Sequence, residues 1–525
     1  MWQKTFYSIA FLVSLLILGL ALIWPHALYW LILVIPLIAI GVADTYSRHN
    51  ILYNYPVIGH IRYFMEFISP EIRQYFLEDD KSGRPYNREQ RDLIKHRARG
   101  HAGIHAFGTE QDILSHGYDF LLHSLAVKSV PQQAARVLVG GPQCLKPYLS
   151  SRLNVSGMSF GALSAQAVLA MNKGAQLGGF FQDTGEGGLT PYHLKYNADV
   201  VWEIASGYFG CRTAAGRFDP EEFQKKAQQD AIKMIAIKIS QGAKPSDGGL
   251  LPAPKVTEEI AAYRGVPPWQ DCQSPATHPE FSTPTGLLLF LQRLRKLCGG
   301  KPVGFKLCIG KRSDFLGICK AILATGILPD FITIDGAEGG TGAAPTELSD
   351  HVGLALDEAL PFVHSSLVGC NLRHNIRLLA SGKIVDGFDM IKKIALGADI
   401  CSVARPMMFS VGCIQALRCH TGTCPTGVTT QDPRRARAIN VDEKAIYVKN
   451  YHHATIQSFL DLLGILGLED PSQLTPNMIW HRVNEKSAKT YAELYDYLAP
   501  SALLNDKVPA HFQAIWDEAN ALSYN

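Results

Sequence analysis

The longest uninterrupted apolar stretch opens the chain. Residues 5–43 contain no Asp, Glu, Lys or Arg, and the stretch breaks at Pro25-His26 into FYSIAFLVSLLILGLALIW and ALYWLILVIPLIAIGVA. Each half approaches the ~20 apolar residues that cross a bilayer as a helix. The pattern predicts a membrane hairpin over 1–45, with Trp24, Tyr29 and Trp30 at the interfacial turn. Lys4 precedes the first half and Arg48 and Arg62 follow the second, which places both ends on the cytoplasmic side. The expected location is the cytoplasmic membrane, with the rest of the chain facing the cytoplasm. A monotopic insertion is the alternative, because the second half is short and carries Pro36. A cleaved signal peptide fits poorly with so long an apolar run.

Residues 46–130 are polar and aromatic with helical flavour, including the exposed-looking segment RPYNREQRDLIKHRARG (84–100), and predict a mostly helical connector. From about 150 to 430 the pattern changes to short, almost continuously apolar runs alternating with helix-length segments. The runs are LNVS (153–156), GFFQD (179–183), VVWEIA (200–205), KMIAIKIS (233–240), VGFKLCIG (303–310), FITIDG (331–336), IRLLAS (376–381) and DICSVA (399–404). Near-continuous apolarity marks strands covered on both faces. Eight such strands with intervening helices predict a (β/α)8 TIM barrel, assigned to 131–440, followed by a helical extension over 441–525. A doubly wound open sheet is the alternative, but no GxGxxG opens the first unit.

Active sites of such barrels sit at the C-terminal ends of the strands. Here those ends run into SGMSFGALS (156–164), DTGEGG (183–188), SGYFG (206–210), SQGAKPSDGG (240–249), Gly310, DGAEGGTGAAP (335–345), SGKIVDG (381–387) and ARPMM (404–408). Any one glycine run is explained by a tight turn. Six on one rim also let backbone N–H groups approach a flat ring or a phosphate. The loops after strands seven and eight are the usual phosphate grip of this fold, and they offer Ser381, Gly382, Lys383, Ala404 and Arg405 to a flavin mononucleotide. Lys306 and Lys238 are charges on barrel strands and need anionic partners if buried. Glu186, Asp247, Asp335 and Glu338 are candidates to balance that charge or move protons, with a loop solvation residue the alternative for Glu338.

Composition sharpens the picture at one place. The formal charge of +3 over 525 residues offers no basic surface for nucleic acid. Of eleven cysteines, eight lack framework spacing, which suits a reducing compartment. The other three, Cys413, Cys419 and Cys424, form C-x5-C-x4-C followed by Pro425. Three clustered thiols followed by proline suit an iron–sulfur cluster with one corner missing, a [3Fe–4S] centre. Three buried free thiols are the alternative.

With these motifs laid out, residues 150–435 resemble the flavin- and iron–sulfur-binding synthase domain of glutamate synthase. SGMSFGALS, TGEGG, ISQGAKPSDGGLLPAPKV, FKLCIG, DGAEGGTGAAP and the cysteine run ending CPTGVTTQ carry the resemblance, in family order. Residues 1–130 are similar to the N-terminal part of stand-alone, membrane-anchored members. The resemblance implies a barrel holding FMN beside a [3Fe–4S] cluster ligated by Cys413, Cys419 and Cys424. It implies that Met158, Ser159, Lys238 and Gln241 face the flavin ring, and that Lys306 lies near it and binds substrate carboxylate. It further implies that ammonia and 2-oxoglutarate form 2-iminoglutarate, which a hydride from reduced FMN converts to L-glutamate, the cluster feeding electrons to the flavin.

Departures qualify the substrate. The family's GHDGG is GAEGG (336–340) here, and the GEGG after the AKP motif is SDGG (246–249). Met1-Trp2-Gln3 and the apolar hairpin stand where glutamate synthases begin a glutaminase domain, so free ammonia or a separate amidotransferase is the expected nitrogen source. No nicotinamide fingerprint appears, so an external electron donor such as ferredoxin, a reductase subunit or a membrane carrier is expected. The same cofactors acting on another oxo, imino or amino acid are the second expectation. An electron-transfer subunit without its own small substrate is the third.

Overall fold

The computed structural model describes residues 2–101, 103, 106–245 and 247–524. The chain divides into two compact units, Met1–Glu89 and Gln90–Asn525.

In the first unit, the apolar stretch forms helices Trp2–Ala21 and Leu31–Asp44, joined by a 3-10 turn, Pro25–Trp30, at the expected break. They run antiparallel: the Tyr7 hydroxyl lies 3.0 Å from Thr45 Oγ1, and Gln3 Nε2 donates to the Tyr53 carbonyl at 2.6 Å. Their apolar side chains point outward, and Ile17 is the one buried residue of Trp2–Ala21. Both spans, Trp2–Ala21 and Pro25–Asp44, are long and apolar enough to cross a membrane. Helices Asn50–Asn54 and Gly59–Ile72 follow.

The second unit is built on a closed barrel of eight parallel strands, numbered β1–β8 in chain order: Leu153–Val155, Gln182–Asp183, Val200–Ile204, Ile232–Lys238, Val303–Leu307, Phe331–Asp335, Arg377–Ser381 and Ile400–Val403. Seven fall within one of the eight apolar runs, and β4 begins one residue before its run, at Ile232. Residues two apart on a strand share a face. Phe181, Val201, Met234, Phe331, Leu379 and Ile400 meet in one buried cluster inside the barrel. An antiparallel hairpin, Arg136–Val139 with Tyr148–Ser151, closes the N-terminal end by adding Val139 and Tyr148 to that cluster. One period further along the strands, Asp183, Glu203, Ser381 and Ser402 turn polar, and Lys238 ends β4. The interior of the barrel is therefore apolar beneath the mouth and charged at the mouth itself.

Helix starts and stops follow local chemistry. Ser164 caps Ala165–Gly178, accepting from the Ala167 amide, and Gly179 ends it at φ 66°, where a side chain would be strained. Thr283 caps Pro284–Leu297, with Pro at the first position where no N–H is needed. The helix Val441–Ile465 crosses Ala165–Gly178 at Gly174, where a Cβ would fall 2.6 Å from Val448.

Two stretches depart from the helical expectation. The connector region holds the strand Asp119–Leu121, and the C-terminal extension holds the hairpin Ile479–Asn484 and Ser487–Thr490. These pair as a three-stranded antiparallel sheet. The pairing joins segments about 360 residues apart, so no local periodicity announces it.

Candidate functional site

At the mouth, two lysines inherited from the strands are buried against carboxylates. Lys306 on β5 places Nζ 3.2 Å from Glu203 Oε2 on β3, and Lys238 at the end of β4 places Nζ 3.0 Å from Glu186 Oε2. Lys238 also donates to Gln241 Oε1 at 2.8 Å, and Gln241 Nε2 reaches Thr341 Oγ1 at 3.4 Å. Burial alone would discharge Lys306, but Glu203, Asp335 and Asp183 outweigh it and hold the ammonium charged. Burial likewise raises Glu186, yet Lys238, Arg264 and Lys244 pull it below the usual carboxylate range, so it stays ionised.

Asp183 behaves oppositely. Burial first and Glu203 second push its carboxyl up to about 8, against the pull of Lys306. A Cβ on Gly157 would lie 2.8 Å from Glu203 Oε2 and 3.1 Å from Asp183 Oδ1, so the two carboxyls face the same gap. Asp183 Oδ1 accepts the Gly185 amide at 2.9 Å. One acid is thus protonated at neutral pH among three charged neighbours.

The glycine motifs let the loops close on these side chains. Gly185 sits at φ 62°, and a Cβ there would lie 2.7 Å from the Ser159 nitrogen, so the loops after β1 and β2 meet backbone to backbone. A Cβ on Gly249 would fall 1.9 Å from Glu186 Oε1, so the second glycine of the 246–249 motif makes room for that carboxylate. Ser246 of the motif lies outside the described residues. Asp247 makes itself felt through Lys244, whose charge it favours.

The segment between β4 and the helix Pro284–Leu297 carries three buried cations. Lys244 Nζ is buried with no hydrogen-bond partner among the described residues, and burial lowers its pKa while Glu186 opposes that. Arg264 donates to Ser159 Oγ at 3.4 Å and to the Phe160 carbonyl at 3.3 Å, while its Nε is buried without a partner among the described residues. Lys255 Nζ bridges two loops, donating to the Ala162 carbonyl at 2.8 Å and the Cys419 carbonyl at 3.0 Å. Burial brings Lys255 down to about 8, with Cys419 and Cys424 opposing the shift.

The loops after β7 and β8 come together around Glu338. Its carboxylate accepts the Leu356 amide at 3.0 Å, capping the helix Leu356–Gly369, and would lie 3.3 Å from a Cβ on Gly382. Its carbonyl accepts Arg405 NH2 at 2.6 Å. Ser381 Oγ lies 3.2 Å from Ser156 Oγ, Lys383 adopts φ 43°, and Ala404 leads into the turn of helix that Arg405 opens. Glu338 thus has a positional job in the frame of this rim.

The cysteine segment follows β8. Among the described residues no three or more His, Cys, Asp or Glu side chains converge as a single metal ion requires. The three thiols are nonetheless neighbours: burial drives Cys413 up to about 12, with Cys419 and Cys424 adding to the rise. The Gln415 amide donates to Cys413 Sγ at 3.4 Å. Burial raises Cys424 too, but the Thr429 and Thr426 hydroxyls and amides facing its sulfur overcome that and bring it down to about 7.

The structure therefore brings Lys306, Lys238, Glu186, Gln241, Ser159 and Met158 to one mouth. Sequence reasoning missed Glu203, Asp183, Lys244, Lys255 and Arg264. For Glu203 a signal existed, since a lone acid in VVWEIA demands a buried partner. For the three loop cations none did.

The model for the conserved region in glutamate synthase matches residues 125–469. Glutamate synthase large subunit-like protein YerD of Bacillus subtilis is 37% identical over 481 residues, covering 84% of this chain and 91% of its own. The archaeal glutamate synthase (NADPH) of Methanocaldococcus jannaschii is 35% identical over 330 residues, covering 63% of this chain and 61% of its own. Among solved structures, a flavocytochrome b2 variant with bound sulfite aligns with TM-score 0.42 at 12% identity, over 83% of this chain and 91% of that one.

Proposed function

The chain belongs to the glutamate synthase family, and we propose from its mouth that it is an FMN and [3Fe–4S] oxidoreductase that makes L-glutamate from 2-oxoglutarate and ammonia. The observation that carries the reading is a buried, charge-rich mouth left partly unsatisfied: the Lys244 ammonium and the Arg264 Nε are desolvated without partners among the described residues. Such groups are costly unless a ligand completes them. A dicarboxylic oxo acid supplies the missing oxygens, and the names of the archaeal relatives favour the same substrate class.

The donor set fits a flavin. Lys238, Lys306 and Gln241 offer cationic and amide donors to a flat anionic ring, and Ser381, Gly382, Lys383, Ala404 and Arg405 frame the usual phosphate end. The cysteines fit a cluster, because separated thiols bind separate irons, Cys424 is already acidic, and the Thr429 hydroxyl faces that sulfur. Bound there, the two groups would supply hydride and single-electron transfer. The chain's own work is positional and protonic. Lys244 and Arg264 hold carboxylate, Lys306 and Glu203 fix the charge beneath the ring, and Asp183 keeps a proton at neutral pH for the substrate nitrogen or oxygen. Glu186 and Asp247 serve as counter-charges at the same rim. Electrons come from an external donor such as ferredoxin or a reductase subunit, and helices Trp2–Ala21 and Leu31–Asp44 anchor the protein in the cytoplasmic membrane.

A second reading, the same cofactors acting on another amino or imino acid, draws on Glu203. Lys306 already has a carboxylate at 3.2 Å, so its charge is balanced within the protein before any substrate carboxylate arrives.

Anaerobic reduction of the flavin in detergent-solubilised protein, followed by 2-oxoglutarate and ammonium, tests the first reading. Reoxidation with glutamate formed is expected. No reoxidation while flavin and cluster are both present would reject it, and a panel of oxo acids would then test the second. Cys419→Ser should lose the cluster's iron and its electron paramagnetic signal while retaining FMN. Full iron content in that variant would remove Cys419 from the ligand set.

A further inference from the structure

The helix Gly59–Ile72 has an apolar face that is largely exposed among the described residues, with Ile68 and Ile72 half-buried. At 100° per residue, Ile61, Phe64, Met65, Ile68 and Ile72 fall within one ~100° sector. Ile58, Ile61, Phe64 and Met65 are between 49% and 58% exposed, values ordinary for charged residues and not for a contiguous apolar row. Arg62 and Glu66 occupy the opposite side, paired at 2.8 Å four residues apart. The helix is about 21 Å long and carries charges throughout, so it is too short and too polar to span a bilayer.

Its position is fixed by the apolar hairpin. Asp44, the last residue of Leu31–Asp44, accepts the Val57 amide at 2.9 Å and meets His60 Nε2 at 2.9 Å, although Val57 has to adopt φ 64°. Gln3, at the start of the first apolar helix, bonds to the Tyr53 carbonyl, and the Trp2 and Tyr55 rings lie 6.2 Å apart. The first turn of Gly59–Ile72 is therefore tied to the end of the hairpin where both apolar helices terminate.

We propose that Gly59–Ile72 lies in the plane of the membrane interface, with Ile61, Phe64, Met65, Ile68 and Ile72 sunk to the acyl boundary and Arg62 and Glu66 facing water. This inference rests on the membrane reading of the hairpin. The occupant of the apolar face is lipid, because the face continues from the exit point of the hairpin and the ion pair on its back fits a water-facing side. A helix pinned at Asp44 and lying flat sets the direction in which the chain leaves the bilayer.

The test uses the full chain in proteoliposomes of phosphatidylethanolamine and phosphatidylglycerol. Photoreactive benzoylphenylalanine replaces Leu16 inside the hairpin, Phe64 or Met65 on the apolar face, or Arg62 on the polar face, one site at a time, and adducts are read by mass spectrometry. Lipid adducts at Leu16, Phe64 and Met65 and none at Arg62 are expected. Lipid adducts at Leu16 with none at Phe64 and Met65 would overturn the interfacial helix and leave the hairpin standing. Adducts at Phe64 and Met65 to protein, whether a second copy or another chain, would also overturn it. Lipid at Phe64 and Met65 without lipid at Leu16 would support the interfacial helix and reject the hairpin. No lipid at any position would overturn both.

Discussion

The two ends of the barrel treat buried charge in opposite ways. At the floor, Asp330, immediately before β6, receives Arg295 Nε and NH2 at 3.3 and 2.9 Å, the Val303 amide at 2.8 Å and the Gly141 amide at 2.8 Å. Asp399, immediately before β8, receives Arg373 NH2 and the Leu378 amide, both at 2.8 Å. These carboxylates are filled by the protein itself, and they staple the closing hairpin and the strand starts together. At the mouth, Lys244 and the Arg264 Nε lack partners among the described residues, and Asp183 holds a proton because its site cannot support another anion. A buried charge saturated by the protein acts as a fastener; one left unsaturated is free to act on a ligand's charge.

If that contrast is right, truncation should separate the two ends. Asp330→Ala strands the Arg295 guanidinium and two amides, and should cost about 3–5 kcal/mol in denaturant unfolding. Equal loss of stability in Asp330→Ala and Lys244→Met would break the contrast outright. Lys244→Met should leave stability unchanged or higher, since it removes a buried cation that makes no hydrogen bond among the described residues. In the proposed reaction it should instead weaken oxo-acid binding by about 1.5–3 kcal/mol, the worth of a hydrogen bond to a charged group. That appears as a rise of roughly tenfold or more in the 2-oxoglutarate concentration that half-saturates flavin reoxidation.

The smallest effect is also the most local. An unfolded Asp releases its proton near pH ~4, whereas the folded Asp183 releases it near 8. Between those values the folded state holds a proton that the unfolded state has lost. Stability contributed by this site therefore falls as pH rises through the window, by up to about 1.4 kcal/mol per unit, and levels off above 8. Asp183→Asn should flatten that slope in melting curves taken from pH 5 to 9. An unchanged slope would show that Asp183 is ionised in the folded protein and adds a negative charge to the mouth.

The strands were legible in the chain because they depend on local pattern. Each apolar run is a strand buried on both sides, and the lysines at 238 and 306 announce themselves as charges in such runs. The mouth was legible only in part. Glu186 and Gln241 sit in motifs that follow strands directly, so their place on the rim could be read. Lys244, Lys255 and Arg264 lie in a long excursion whose residues look like ordinary loop cations until the chain folds back and buries them. The β-hairpin at 479–490 was hidden for the same reason: its partner, Asp119–Leu121, is distant in sequence. What one sequence conceals is the meeting of segments, and the unsatisfied part of this site is made of such meetings.

Lys255 gives that principle a mechanical form. One ammonium clasps the Ala162 carbonyl on the loop after β1 and the Cys419 carbonyl in the cysteine segment. Neither loop can be set in place without restraining the other, so the entropy lost in ordering one is partly lost already on behalf of its neighbour. Assembly of the two halves of the rim is then cooperative: whichever loop is immobilised first lowers the cost of completing the second, and a chain with one half unfilled is looser at both.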